Sequence, residues 1–185
     1  MGTTDDYRGR LMVAEASNSD ISSLHEFILE AWKEAGPSAW GWTGATEERV
    51  QELASVEYLK QLVSNPKLKV LLAKDRERIV GFAVNRRVDE TTVELAGVIV
   101  LGRLTGMGIG TALMDAAMKA ATAGGFKEIT VKTESFNQRA IGFYEANGFK
   151  RIGLSSEELD GNKVDLTVLG RPVAKTERDV TDSGT

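Results

Sequence analysis

Apolar positions along the chain switch between a helical period and a strand period, and the switches mark out a fold. Ile21, Leu24, Ile28 and Trp32 recur at helical spacing, with Asn18, Ser19 and Asp20 ahead of them as N-cap candidates, which predicts an amphipathic helix over 19–34. Gly36-Pro37-Ser38 stops it. Thr46 is placed to cap a second helical stretch, with Glu47 and Glu48 favourable in its first turn. The apolar positions of that stretch, Val50, Leu53 and Ala54, resume out of phase at Leu59, Leu62 and Val63, so a kink or two short helices are expected.

Strand patterns dominate the middle. A short strand fits Leu11 to Ala14, and β-rich runs cover Leu68 to Ala73 and Ile79 to Val84 as an antiparallel hairpin or meander. A further strand runs from Thr91 to Leu101, interrupted by Gly97 as at a bulge or a close backbone approach. Ile109, Leu113, Ala116, Ala117 and Ala120 then form a helical stripe that ends at Gly124-Gly125. Ile129, Val131 and Thr133 alternate as a strand, and 137–147 reads as a short helix closed by Gly148. Phe149 to Leu154 and Lys163 to Leu169 pair across Asp160-Gly161-Asn162, a hairpin turn signal. Residues 1–9 read as a loose terminus and 171–185 as a polar tail, leaving one α/β domain with a mixed sheet over 1–170.

Composition narrows the function. With 185 residues, 42% of them apolar and 27% charged, the chain has the balance of an ordinary globular domain. No apolar run approaches the ~20 residues that span a bilayer, and no secretory signal opens the sequence. The net charge of −4 argues against a nucleic-acid partner. There are no cysteines and one histidine, His25, which removes thiolate zinc sites, a cysteine nucleophile and a histidine-rich metal site. No metal is expected, and a cytoplasmic, reducing location fits.

Two segments carry chemistry. Val100 to Leu113 reads VLGRLTGMGIGTAL: a strand passes through a glycine-rich turn into a helix N-terminus. Exposed N–H groups and the positive end of the helix dipole make an anion site there, and Gly106, Gly108 and Gly110 allow close approach of a phosphate. The loop lacks the Gly-Lys-Ser/Thr of a Walker A motif. It is also a poor dinucleotide fingerprint, because Thr111 stands where a third small residue belongs. The second segment, Asn137 to Phe149, reads NQRAIGFYEANGF.

Together the segments resemble the signatures of the GNAT acyltransferase superfamily. Its second segment, Asn-x-x-Ala-x-x-x-Tyr-x-x-x-Gly-Phe, is matched at Asn137, Ala140, Tyr144, Gly148 and Phe149. The close match covers about 94–153. Two loop positions depart from the pattern: Gly102 replaces the usual proline and Thr105 the usual arginine or glutamine, with Arg103 nearby as a partial substitute for the charge. The resemblance implies a mixed, mainly antiparallel sheet of about seven strands flanked by about four helices and splayed at the acyl-CoA site. It implies transfer of an acetyl group from acetyl-CoA to a primary amine of a small molecule or peptide, by direct attack in a ternary complex, and it leaves a homodimer open.

By the same resemblance Tyr144 is the general acid for the departing thiolate, and Glu94 stands where some members carry a general base. The strands carrying Val98–Val100 and Ile129–Thr133 splay to admit the pantetheine. Ile99, Val100, Gly106, Met107, Gly108, Ile109, Gly110, Thr111, Asn137 and Tyr144 contact the coenzyme. Trp40 and Trp42 fall in the loop that lines the acceptor site in the family, although simple packing explains them as well. Glu157, Glu158 and Asp160 could attract a cationic acceptor, although a solvated hairpin explains them better, and His25 reads as structural. A non-catalytic acyl-CoA-binding module on the same fold is the alternative.

Overall fold

The structure, a computed structural model, describes residues 10–35, 46–159 and 162–173. Trp40, Trp42, Asp160 and the terminal segments 1–9 and 174–185 lie outside the described residues.

Seven strands form one sheet: β1 (Leu11–Glu15), β2 (Leu68–Asp75), β3 (Arg78–Arg87), β4 (Thr92–Val100), β5 (Glu128–Glu134), β6 (Lys150–Leu159) and β7 (Asn162–Pro172). Five helices accompany them: α1 (Ile21–Ala35), α2 (Glu47–Ala54), α3 (Val56–Ser64), α4 (Ile109–Ala123) and α5 (Gln138–Ala146). The strand order is β1-β2-β3-β4-β5-β7-β6. Every neighbouring pair is antiparallel except β4 and β5. That parallel pair requires a crossover connection, and α4 supplies it.

Local chemistry explains the helix boundaries. The out-of-phase stretch resolves into α2 and α3, divided at Ser55. Its extended backbone (φ −61°, ψ 144°) closes α2, and its hydroxyl accepts from Tyr58 N–H to open α3. Thr46 caps α2 by accepting from Arg49 N–H at 3.1 Å. His25 links α1 to the end of α2, its Nδ1 lying 2.7 Å from the Ala54 carbonyl, in keeping with a structural role.

The helices sandwich the sheet. On one face Phe82 of β3 packs edge-on against Phe27 of α1, ring centres 5.9 Å apart. On the other, a Cβ at Gly81 would stand 3.0 Å from Leu113 Cδ1 of α4, and Asn85 donates to the Ala117 carbonyl of α4 at 2.9 Å. Leu24, Leu59, Leu72, Ala83, Leu113, Ala117 and Ile129 are fully inaccessible to solvent. α5 shares the α4 face: Arg151, paired with buried Leu169, is bonded to Glu145 of α5.

The last hairpin is longer than its sequence pattern. β6 continues to Leu159 and β7 to Pro172, and Val173 is buried, so the sheet runs past residue 170. No described helix is long and apolar enough to cross a membrane.

Candidate active site

β4 and β5 touch only at their beginnings. Three registered pairs join them, Thr92 to Glu128, Val93 to Ile129 and Glu94 to Thr130, and beyond these the strands separate. β4 meanwhile stays paired to β3 as far as Val100, and β5 to β7 as far as Glu134. The opening is therefore a split between two otherwise intact half-sheets.

Antiparallel alternation decides which backbone groups face the split. Leu101 N–H donates to Val80 carbonyl at 3.2 Å, so by alternation the backbone of Ile99 also turns to β3, while Val98 and Val100 point away from it. On the other side Ser135 N–H donates to Asp165 carbonyl at 2.9 Å, which turns Lys132 and Glu134 toward the opening. Val98 and Val100 thus turn their peptide groups to the gap, where no described strand pairs with them. The resemblance names Val98 only as part of the splayed strand and puts Ile99 among the coenzyme contacts; the register turns the Val98 backbone to the gap and that of Ile99 to β3.

Gly97 marks a bulge. Val84 is registered with Gly97 and Asn85 with Leu95, so Ala96 is the extra residue. Among the described residues a Cβ at Gly97 would meet nothing within 4 Å, so no close approach by them explains the glycine.

The glycine-rich loop ends the opening. Gly106 and Gly108 have φ of +85° and +81°, the left-handed region that glycine enters at low cost. Gly108 is the N-cap of α4. Among the described residues no intrachain acceptor is recorded for the N–H groups of Gly106, Gly108, Ile109, Gly110 or Thr111, as expected at a helix N-terminus. Met107 differs: its N–H donates to the Leu104 carbonyl at 3.3 Å. Gly110 has a second task, because a Cβ there would lie 3.3 Å from the Phe143 ring. That contact seats α5 against the start of α4 and brings the two sequence motifs together.

Arg103 does not serve the loop. Its guanidinium is held by Glu34 and by Glu30 of α1, the latter at 3.0 Å. The charge expected to stand in for the residue at Thr105 is therefore committed to anchoring the loop on α1.

Tyr144 comes from α5. Its ring meets Phe143 and Phe149 with centroids 5.4 and 5.8 Å away, and the residue is 7% exposed. Burial, reinforced by the negative charge of Glu134, pushes its pKa up to about 12, so the phenol carries its proton at neutral pH. No hydrogen bond of its hydroxyl is recorded among the described residues, which leaves it available to a ligand. Asn137 caps α5, its side-chain oxygen accepting from Ala140 N–H at 3.1 Å. Glu94 lies where β4 and β5 still pair, and its carboxylate receives Arg86 at 2.7 Å.

A split parallel pair, a helix N-terminus with free N–H groups and a buried protonated tyrosine define a site for an anionic, extended ligand. The profile of the Acetyltransferase (GNAT) family matches residues 24–149, and the chain belongs to that family. Uncharacterized N-acetyltransferases of Mycobacterium tuberculosis and Mycobacterium bovis are 34% identical over 101 residues. That alignment covers 55% of this chain and 64% of theirs. Among solved structures, a PaiA N-acetyltransferase from Thermoplasma acidophilum, in complex with coenzyme A, superposes with a TM-score of 0.65 at 25% identity. It covers 85% of this chain and 97% of that one. The ribosomal-protein-S18-alanine N-acetyltransferase from Escherichia coli shares the fold, with TM-score 0.66, 13% identity and coverage of 91% and 97%.

Proposed function

We propose that this protein transfers an acetyl group from acetyl-CoA to a primary amine, by direct attack within a ternary complex. The observation that carries the reading is the β4–β5 split, opening beside the unbonded N–H groups at the start of α4 and the unbonded hydroxyl of Tyr144.

The residues fit the coenzyme. N–H groups of Gly106 and of Gly108 to Thr111 would hold the pyrophosphate, where amides and helix dipole both favour negative charge. The edge of β4 at Val98 and Val100 would bond the pantetheine amides as a missing strand would, and an N–H there would polarise the acetyl carbonyl. Acetyl-CoA supplies an activated thioester. A phenol held protonated is suited to give its proton to the leaving thiolate, whose conjugate acid has a reference pKa of roughly 8.5. Glu94, with Arg86 beside it, would draw the proton from the amine through water. Asn137, engaged as a cap through its oxygen, retains its amide hydrogens for the pantetheine arm.

Titration calorimetry of acetyl-CoA into the wild type and Gly108→Trp tests this. A Cβ at Gly108 meets nothing within 4 Å among the described residues, so a large side chain there would occupy the phosphate position. Saturable binding to the wild type, lost in the folded variant, supports the reading; no binding to folded wild type refutes it. Acetyl-CoA binding without turnover on any amine in a broad panel would favour the non-catalytic module.

A further inference from the structure

Glu134 is the one buried carboxylate among the described residues, 6% exposed, and the mechanism above gives it no contact with coenzyme or acceptor. It ends β5, four residues beyond the last position registered with β4. By strand alternation its Cβ shares a face with Lys132 and Thr130, two and four residues back, and Thr130 is registered with Glu94, itself opposite Arg86. Arg86 lies on the face of β3 that Phe82 turns to α1. Glu134 thus leaves the strand toward the α1 face, while its carboxylate reaches back to the Thr133 hydroxyl of the neighbouring position. Glu134 and Tyr144 are near enough for the charge of one to act on the proton of the other.

No ion pair reaches it among the described residues. The neighbouring acids have theirs: Arg86 on Glu94 at 2.7 Å, Lys132 on Glu157 at 2.5 Å, Arg151 on Glu145 at 2.8 Å. Lys132, the nearest basic residue along the same face, is thus already engaged. Among the described residues Glu134 makes no ion pair, and the hydrogen bond its carboxylate accepts comes from Thr133 Oγ1 at 3.2 Å. A buried carboxylate without a counter-charge is costly, and a cationic ligand arriving at the opening would relieve that cost.

We infer that Glu134 is the acceptor-recognition residue, binding the incoming amine as its ammonium ion at the β5 edge of the split. The inference rests on the coenzyme reading. It makes the acceptor a basic amine, cationic at neutral pH, in preference to a weakly basic aromatic amine or a hydroxyl.

The test needs no knowledge of the natural acceptor. Calorimetry compares coenzyme A, S-(2-aminoethyl)-coenzyme A and S-propyl-coenzyme A on wild type, Glu134→Gln, Glu134→Asp and, as a control acid on the last hairpin, Asp165→Asn. The aminoethyl probe carries an ammonium near the position of the attacking nitrogen; the propyl probe is its neutral counterpart. A charge-assisted contact in a partly dry site predicts that the wild type and Asp165→Asn prefer the cationic probe by about tenfold or more. Glu134→Gln should bring the two probes to parity with coenzyme A affinity unchanged, and Glu134→Asp should keep part of the preference. Equal affinities in the wild type, a preference that survives Glu134→Gln, or loss of coenzyme A itself in both Glu134 variants would overturn the assignment. Failure of coenzyme A to bind the wild type would instead sink the coenzyme reading and this inference with it.

Discussion

Replacing Tyr144 by phenylalanine separates chemistry from packing. The substitution keeps the ring against Phe143 and Phe149, at 5.4 and 5.8 Å, and removes the hydroxyl. Because that hydroxyl has no recorded partner in the free protein, its loss at pH 7 should change stability by no more than about 1 kcal/mol, and in the favourable direction if at all. Turnover should fall by about a hundredfold or more, the usual scale for removing a general acid, while acetyl-CoA affinity moves little. The pH dependence supplies a second readout. The folded-state pKa is raised from 10.0 to about 12, so the native state holds the proton where the unfolded chain releases it. That contribution is fully present below pH 10 and is lost as pH rises toward 12. Two units correspond to ~2.7 kcal/mol at most. Chemical denaturation at pH 7, 10 and 11.5, with steady-state kinetics on the best amine of a panel, measures all of this. Wild type should lose more stability than Tyr144→Phe across the alkaline range. A variant that keeps kcat within threefold, or that loses over ~2 kcal/mol at pH 7, would show that the hydroxyl is structural.

Asn137→Ala should cost about 1 kcal/mol in thermal unfolding through loss of the α5 cap, and a Ser or Asp in its place should recover most of it. Asp20→Asn acts through pH. Burial alone would raise the Asp20 carboxyl, but bonds from Lys74 at 2.5 Å and from Ser17 hold it below the usual range. Its stabilisation is therefore present above about pH 4 and fades as pH falls through the lowered value, so the variant should be less stable than wild type at pH 6, by about 1 kcal/mol, with the gap closing in acid melts.

Much of this protein is written in local pattern. The helical stripe from Ile109 to Ala120 and the alternation of Ile129, Val131 and Thr133 are visible because burial imposes the 3.6 and 2.0 periods on the residues themselves. The phase slip between Ala54 and Leu59 announced a break, since one straight helix cannot turn both sets of apolar residues to the same core. Gly106 and Gly108 are legible for a similar reason: a left-handed backbone selects its residue type directly.

What the sequence could not decide are relations between strands and the commitment of charges. Whether Val98 or Ile99 turns its peptide to the split depends on register against β3, and the Ala96 bulge resets that register without altering composition. Arg103 reads as a free charge beside the loop until α1 brings Glu30 and Glu34 to it. Glu134 reads as one more strand-end acid. Only the assembled sheet buries it without a counter-charge while Lys132, two residues away, goes to Glu157, because pairing among charges is settled by distances in space and not along the chain.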